Sequence, residues 1–98
     1  MSEKSIVNSI LKYLNSLPQC RAEKTWGGGY GNAGKPDITG CLSGRRFELE
    51  VKVPGGKATP LQKVTLEQWK EAGAIVAVVH SVEEAKEILK EAEAKCEK

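Results

Sequence analysis

Apolar residues recur at helical spacing near the start of the chain. Ile6, Val7, Ile10, Leu11, Leu14 and Leu17 fall on one face, which predicts an amphipathic helix over 5–16, stopped by Pro18. CRAEKTW (20–26) is a strand candidate, and a glycine-rich stretch follows it. DITGCLS (37–43) alternates enough to be a strand, and Ser43-Gly44 marks a turn into RRFELEVKV (45–53). That run is the clearest strand in the chain. Phe47, Leu49, Val51 and Val53 point one way, while Arg46, Glu48, Glu50 and Lys52 point the other. The short connection makes these two strands an antiparallel hairpin.

PGGKA (54–58) reads as a loop, and Thr59 opens the next helix as its N-cap, with Pro60 at the first helical position and Gln62 as the return arm of a capping box. Leu61, Val64, Trp69 and Ala72 form the expected apolar stripe, and Gly73 ends the helix. AIVAVVH (74–80) is a continuous apolar run, as expected of a strand covered on both faces. Ser81-Val82-Glu83-Glu84 forms a second capping box, and the last helix turns Val82, Ala85, Ile88, Leu89 and Ala92 inward. The element order is therefore α-β-β-β-α-β-α, an α/β fold with a mixed sheet. The strand at 74–80 arrives after a helical crossover and lies parallel to a strand of the hairpin.

Length and composition narrow the class. The 98 residues fit one domain, 1–98, with a modest core that a dimer interface would extend. With 40% hydrophobic and 29% charged residues, the chain reads as soluble and globular rather than disordered. No apolar run approaches the ~20 residues of a membrane span. With polar and charged residues inside its apolar pattern, MSEKSIVNSILKYL reads as an amphipathic helix and not as a signal peptide. Cys20, Cys41 and Cys96 are odd in number and lack C-x-x-C spacing, so reduced thiols in a cytoplasmic protein (host cytoplasm, if viral) are expected. His80 is the single histidine, placed at the end of a strand, and this argues against a His/Cys metal cluster. The net charge of +2 is unevenly spread. Residues 1–60 hold nine Lys/Arg against five Asp/Glu (+4), and residues 61–98 hold six against eight (−2), so the first part could face a polyanion.

GYGNAGK (29–35) matches the start of the phosphate-cradling loop G-x-x-x-x-G-K, whose next position should be Ser or Thr. Pro36 stands there instead. It lacks an N–H, lacks a hydroxyl for magnesium, and disfavours the helical conformation at Lys35. A strand rather than a helix follows, so no nucleotide cofactor is expected.

Asp37 fits a different chemistry. Glu50 and Lys52 leave one strand face roughly 7 Å apart along the chain, and Asp37 begins the paired strand within reach of Glu50. Two converging carboxylates repel, and a hard divalent cation relieves the repulsion; magnesium takes one or two carboxylates and keeps waters. Such a metal polarises a phosphate oxygen and acidifies water, and Lys52 beside it could orient that water or stabilise charge growing on phosphorus. Taken singly, E-x-K is a polar strand face, Pro-Asp a turn and Gln62 a cap. Their order along one hairpin and the helix after it makes the case.

Pro36-Asp37 with Glu50-Val51-Lys52 resembles the PD-(D/E)xK nuclease signature. GKPDI, FELEVKVPGGKATPLQ, AGAIVAVVHSVEEA and an acidic residue opening the first helix resemble the virus-type replication-repair nuclease (VRR-NUC) family over roughly residues 2–87. The resemblance implies a restriction-endonuclease-like core, a mixed β-sheet flanked by helices. It also implies a Mg²⁺- or Mn²⁺-dependent endonuclease. Asp37, Glu50 and the backbone carbonyl of Val51 would bind the metal, and Lys52 would be the catalytic lysine. Gln62 would reach the site from its helix, and Glu3 from the first helix, although the helix dipole alone accounts for Glu3. Glu48 has no place in the motif and reads as a charge that is either solvated or set behind the metal ligands in support of them.

The short phage-type members that the chain resembles act as homodimers on branched DNA such as four-way (Holliday) junctions. Two symmetric cuts need two sites related by a two-fold axis. Leu66, off the apolar stripe, is a candidate interface residue. Lys35, Arg45, Arg46, Lys57 and Lys63 are candidate phosphate contacts, and Trp26 or Tyr30 could stack on an exposed base. The alternatives are a flap or single-strand nuclease on the same fold, or a catalytically silent nucleic-acid-binding module.

Overall fold

The computed structural model describes residues 2–25 and 34–96, with side chains described through residue 92. The glycine-rich segment, with Trp26 and Tyr30, lies outside the described residues. The elements are α1 (Glu3–Leu14), β1 (Cys20–Lys24), β2 (Ile38–Leu42), β3 (Arg45–Val51), α2 (Pro60–Glu71), β4 (Ile75–Val79) and α3 (Val82–Cys96). This is the order expected from the hydrophobic pattern. The strands form one sheet in the order β1-β2-β3-β4. The first two pairings are antiparallel, and the crossover through α2 makes β3 and β4 parallel.

The hairpin turn forms because both Ser43 (φ 51°) and Gly44 (φ 86°) take left-handed conformations, the geometry that matches strand twist in a two-residue hairpin. At its other end α1 is tied to the sheet. The Asn15 side chain exchanges two hydrogen bonds with the backbone of Ala22, at 2.8 and 2.9 Å.

One face of the sheet is covered throughout, and the other only over β3 and β4. On the first, Ala22, Ile38, Phe47, Leu49, Val51, Ile75 and Val79 pack against Ile6, Val7, Ile10 and Leu14 of α1 and Ala85 and Leu89 of α3. Gly40 is needed here: a Cβ would lie 2.5 Å from the Phe47 ring that crosses it. On the opposite face lies α2, packed on β3 and β4. β4 is an edge strand, and its central Val76, Ala77 and Val78 are half-buried rather than fully covered. Among the described residues no helix is long and apolar enough to cross a membrane.

The α2 face differs from the one expected. Leu66 is its buried residue, while Leu61 and Val64 are 51% and 54% exposed. Gln62, Thr65, Leu66 and Trp69 form the sheet-facing side, so the helix is rotated relative to a purely apolar stripe. The cause lies beneath it. The sheet face it covers carries Glu48 and Glu50, and polar or amphipathic partners are required there. Leu66 is thus a core residue and not an interface candidate. Leu66→Ala should lower stability by about 2–5 kcal/mol, whereas Val64→Ala should stay within about 0.5 kcal/mol, as read from urea denaturation midpoints.

Candidate active site

The alternation of β3 separates the apolar residues from Glu48 and Glu50 as the sequence predicts, but both faces are covered. Glu48 and Glu50 are each only 2% exposed. Glu48 is therefore not a solvated charge. Its Oε2 accepts from Arg46 Nε at 2.8 Å and from the Thr39 hydroxyl at 2.6 Å. The Arg46 guanidinium also donates to Thr39 and stacks over the Trp69 ring, 4.4 Å from its centroid. Through the Arg46–Trp69 contact this cluster fastens α2 to the sheet.

Arg45 and Arg46 open β3, whereas Glu50 and Val51 close it. Arg45 is roughly 17 Å along the strand from Glu50, and its Nε donates to the Gly73 carbonyl. Neither arginine sits beside the acid pair, contrary to expectation. Lys35, Lys57 and Lys63 are exposed at the correct end, on the segments that lead into Asp37, away from Lys52 and along the first turn of α2. The segment before Asp37 runs against α2: a Cβ on Gly34 would come within 2.7 Å of Leu61.

Four of the expected residues converge. Glu50 Oε2 accepts from Gln62 Nε2 at 2.9 Å and lies 3.6 Å from Lys52 Nζ. Gln62 has two jobs, because its Oε1 also accepts from the Thr59 backbone N–H at 2.8 Å in the capping box. That bond fixes the amide orientation, so its NH₂ must face Glu50. Asp37 stands beside Glu50, and its Oδ2 accepts from the Val51 N–H at 2.9 Å. Burial, followed by the nearby Asp37 carboxylate, pushes the Glu50 carboxyl up to about 8, against the smaller opposing pull of Lys52. Glu3 is exposed in the first turn of α1, and no hydrogen bond or ion pair joins it to these four.

The role of Pro36 becomes physical here. Extending the β2–β3 register by two residues places Pro36 opposite Val51. In an antiparallel ladder that pair would exchange N–H and C=O bonds. Pro36 has no N–H to give the Val51 carbonyl, and the Asp37 carboxylate takes the Val51 N–H. The carbonyl is left pointing along the edge where Asp37 stands.

These groups suit a hard divalent cation. Glu50 Oε1 is buried and, among the described residues, has no hydrogen-bond partner, a costly state for a carboxyl oxygen. Among the described residues no cluster of three or more His, Cys, Asp or Glu occurs. A metal here would have the two carboxylates, a carbonyl and water, the oxygen set that magnesium accepts. By contrast, a concavity of about 430 Å³ beside Tyr13, Leu17 and Lys86 carries no acid pair.

The chain is an α/β domain whose mixed sheet gathers an acid pair, a lysine and a glutamine at the end of its central hairpin. The chain has the fold of a VRR-NUC domain. A solved structure described as "VRR_NUC domain" superposes with a TM-score of 0.73 at 24% identity, covering 90% of this chain and 94% of that one. No protein-family model matches the chain, and no curated protein does.

Without metal, the raised Glu50 carboxyl carries a signed consequence. Between its unfolded value near 4.5 and about 8, the folded chain holds a proton that the unfolded chain has released. Its contribution to stability is thus full below pH 4.5 and is lost as pH rises through 8. In chelator, denaturation midpoints should fall across this range, and Glu50→Gln should flatten the fall.

Proposed function

We propose that this protein is a VRR-NUC nuclease, a divalent-metal-dependent endonuclease that hydrolyses phosphodiester bonds in branched DNA such as four-way junctions. The observation that carries this reading is the convergence of Asp37, Lys52 and Gln62 on a buried Glu50 whose second oxygen has no partner among the described residues. The likeness to the VRR_NUC structure supports it at the level of fold.

Asp37, Glu50 and the Val51 carbonyl would hold Mg²⁺ or Mn²⁺. The ion would polarise the phosphate and acidify water at the site. Lys52 is only 16% exposed, so its ammonium is positioned by the loop and by Glu50. From there it can donate to a phosphate oxygen as charge builds on it. Gln62 holds Glu50 Oε2 and keeps that carboxyl from rotating. Lys35, Lys57 and Lys63 supply exposed cations around the site for backbone phosphates. One acid pair per chain makes a homodimer the natural agent of paired cuts across a junction. The free thiols of Cys20 and Cys41 fit a reducing cytoplasm.

Labelled four-way, flap, duplex and single-stranded DNA, incubated with Mg²⁺, Mn²⁺ or EDTA, test this reading. Four-way junctions should be cut with either metal and not in EDTA. Asp37→Ala and Lys52→Ala should each slow cutting by about 10²–10³-fold or more. Binding with no cleavage of any substrate would leave only a binding module. Preferred cutting of flaps or single strands would move the substrate, and unchanged cutting by Lys52→Ala would remove the site assignment.

A further inference from the structure

His80 does more than end a strand. Its ring lies between two acceptors: Nδ1 is 2.9 Å from Glu84 Oε1, and Nε2 is 2.9 Å from the Gly56 carbonyl. A neutral imidazole has one donor and one acceptor nitrogen and can satisfy only one of these partners. The imidazolium satisfies both. Glu84 is itself fixed in place. Its N–H donates to the Ser81 hydroxyl, and its Oε1 accepts from the His80 backbone N–H at 2.8 Å. The capping box thus reaches one residue further back than usual, to His80 rather than Ser81.

The other partner sits at a sensitive place. Gly56 belongs to the loop that runs from Lys52 to the Thr59 cap and hence to Gln62. Its N–H closes a turn onto the Val53 carbonyl at 2.8 Å. A Cβ added to Gly56 would lie 3.2 Å from the Lys52 Cβ, so this residue packs against the root of the lysine side chain. A grip on the Gly56 carbonyl therefore acts on the backbone that places both Lys52 and Gln62.

We propose that His80, clamped by Glu84, is a positioning residue of the site: its doubly hydrogen-bonded ring pins the Gly56 carbonyl and holds the Lys52–Gln62 loop in its working geometry. This rests on the reading of Lys52 and Gln62 as site residues. The bond to Gly56 first, and then that to Glu84, raises His80 above its ordinary 6.5, and the same contact lowers Glu84. The clamp is thus complete below 6.5 and opens as pH rises through the higher folded value. Glu84 faces the ring from α3 and the Gly56 carbonyl faces it from the loop. The charged residues flanking those partners, Glu83 and Lys57, are exposed, and no ion pair joins either to the ring.

His80 is the only histidine, so its ring signals in an NMR pH titration of the intact protein need no assignment by mutation. The ring should titrate above 6.5, and the backbone amides of Lys52 and Gly56 and the side-chain amide of Gln62 should share its midpoint. Glu84→Gln should lower that midpoint, because it removes the charged partner of Nδ1. The alkaline decline of kcat on a four-way junction should shift to lower pH with it, while KM changes little. A ring midpoint at or below 6.5, or loop signals that ignore the ring, would overturn the clamp. A shared transition in a protein that cuts no DNA would keep the clamp and remove the nuclease reading. Cutting without a shared transition would do the reverse.

Discussion

Glu50 is carried into the sheet–helix interface by the same strand that buries Leu49 and Val51, and its carboxyl arrives with one oxygen bonded and the other bare. An uncompensated carboxylate in such a place costs several kcal/mol. The surrounding structure is arranged around that cost. Gln62 supplies one donor, Lys52 a nearby positive charge, and α2 is turned so that an amide rather than an apolar side chain meets the acid. Asp37 works in the opposite sense. It adds negative charge beside Glu50, which no stability argument would favour unless a cation or a proton is meant to occupy the site.

Topology places these groups together. The hairpin register sets Asp37 at the end of β2 beside the end of β3, and the loop after β3 returns Gln62 over the same spot. Pro36 interrupts the ladder where a carbonyl is wanted, so a ladder defect becomes a candidate ligand position. The neighbouring carboxylate, Glu48, shows what the same strand face does when no site is intended. With Arg46 and Thr39 both bonded to it, Glu48 is closed off and holds α2 down through Trp69. Two acids two residues apart thus serve opposite ends: Glu48 gathers an arginine and a hydroxyl on one oxygen, whereas Glu50 keeps a buried oxygen with no partner among the described residues.

The element order, the hairpin, the parallel crossover and the capping box before α2 were legible in the sequence, because period, turn residues and capping residues all agree there, whereas before α3 only the Ser81 half of the expected box forms and Glu84 returns to His80. The convergence of Asp37, Glu50, Lys52 and Gln62 was legible through strand alternation and the motif. The burial of Glu48 was not, because alternation tells which face a side chain takes and not whether a helix covers that face. The same gap hid the true face of α2. Its buried side combines Gln62, Thr65, Leu66 and Trp69, which no hydrophobic stripe would select. Arg45 and Arg46 were drawn to the site by proximity in sequence, although a strand carries its two ends far apart. His80 gave one local signal, its place directly before a capping box, but its bond to Gly56 spans 24 residues and follows only from the fold.

On the proposed reading, a divalent cation would displace the proton that the raised Glu50 carboxyl holds. Calorimetric titration of Mg²⁺ at pH 7, repeated in buffers of different ionisation enthalpy, measures this directly. Since Glu50 is held at about 8, binding should be saturable and should release close to one proton per chain, and Glu50→Gln should abolish both. Saturable binding with no proton release, or binding that survives Glu50→Gln unchanged, would contradict it.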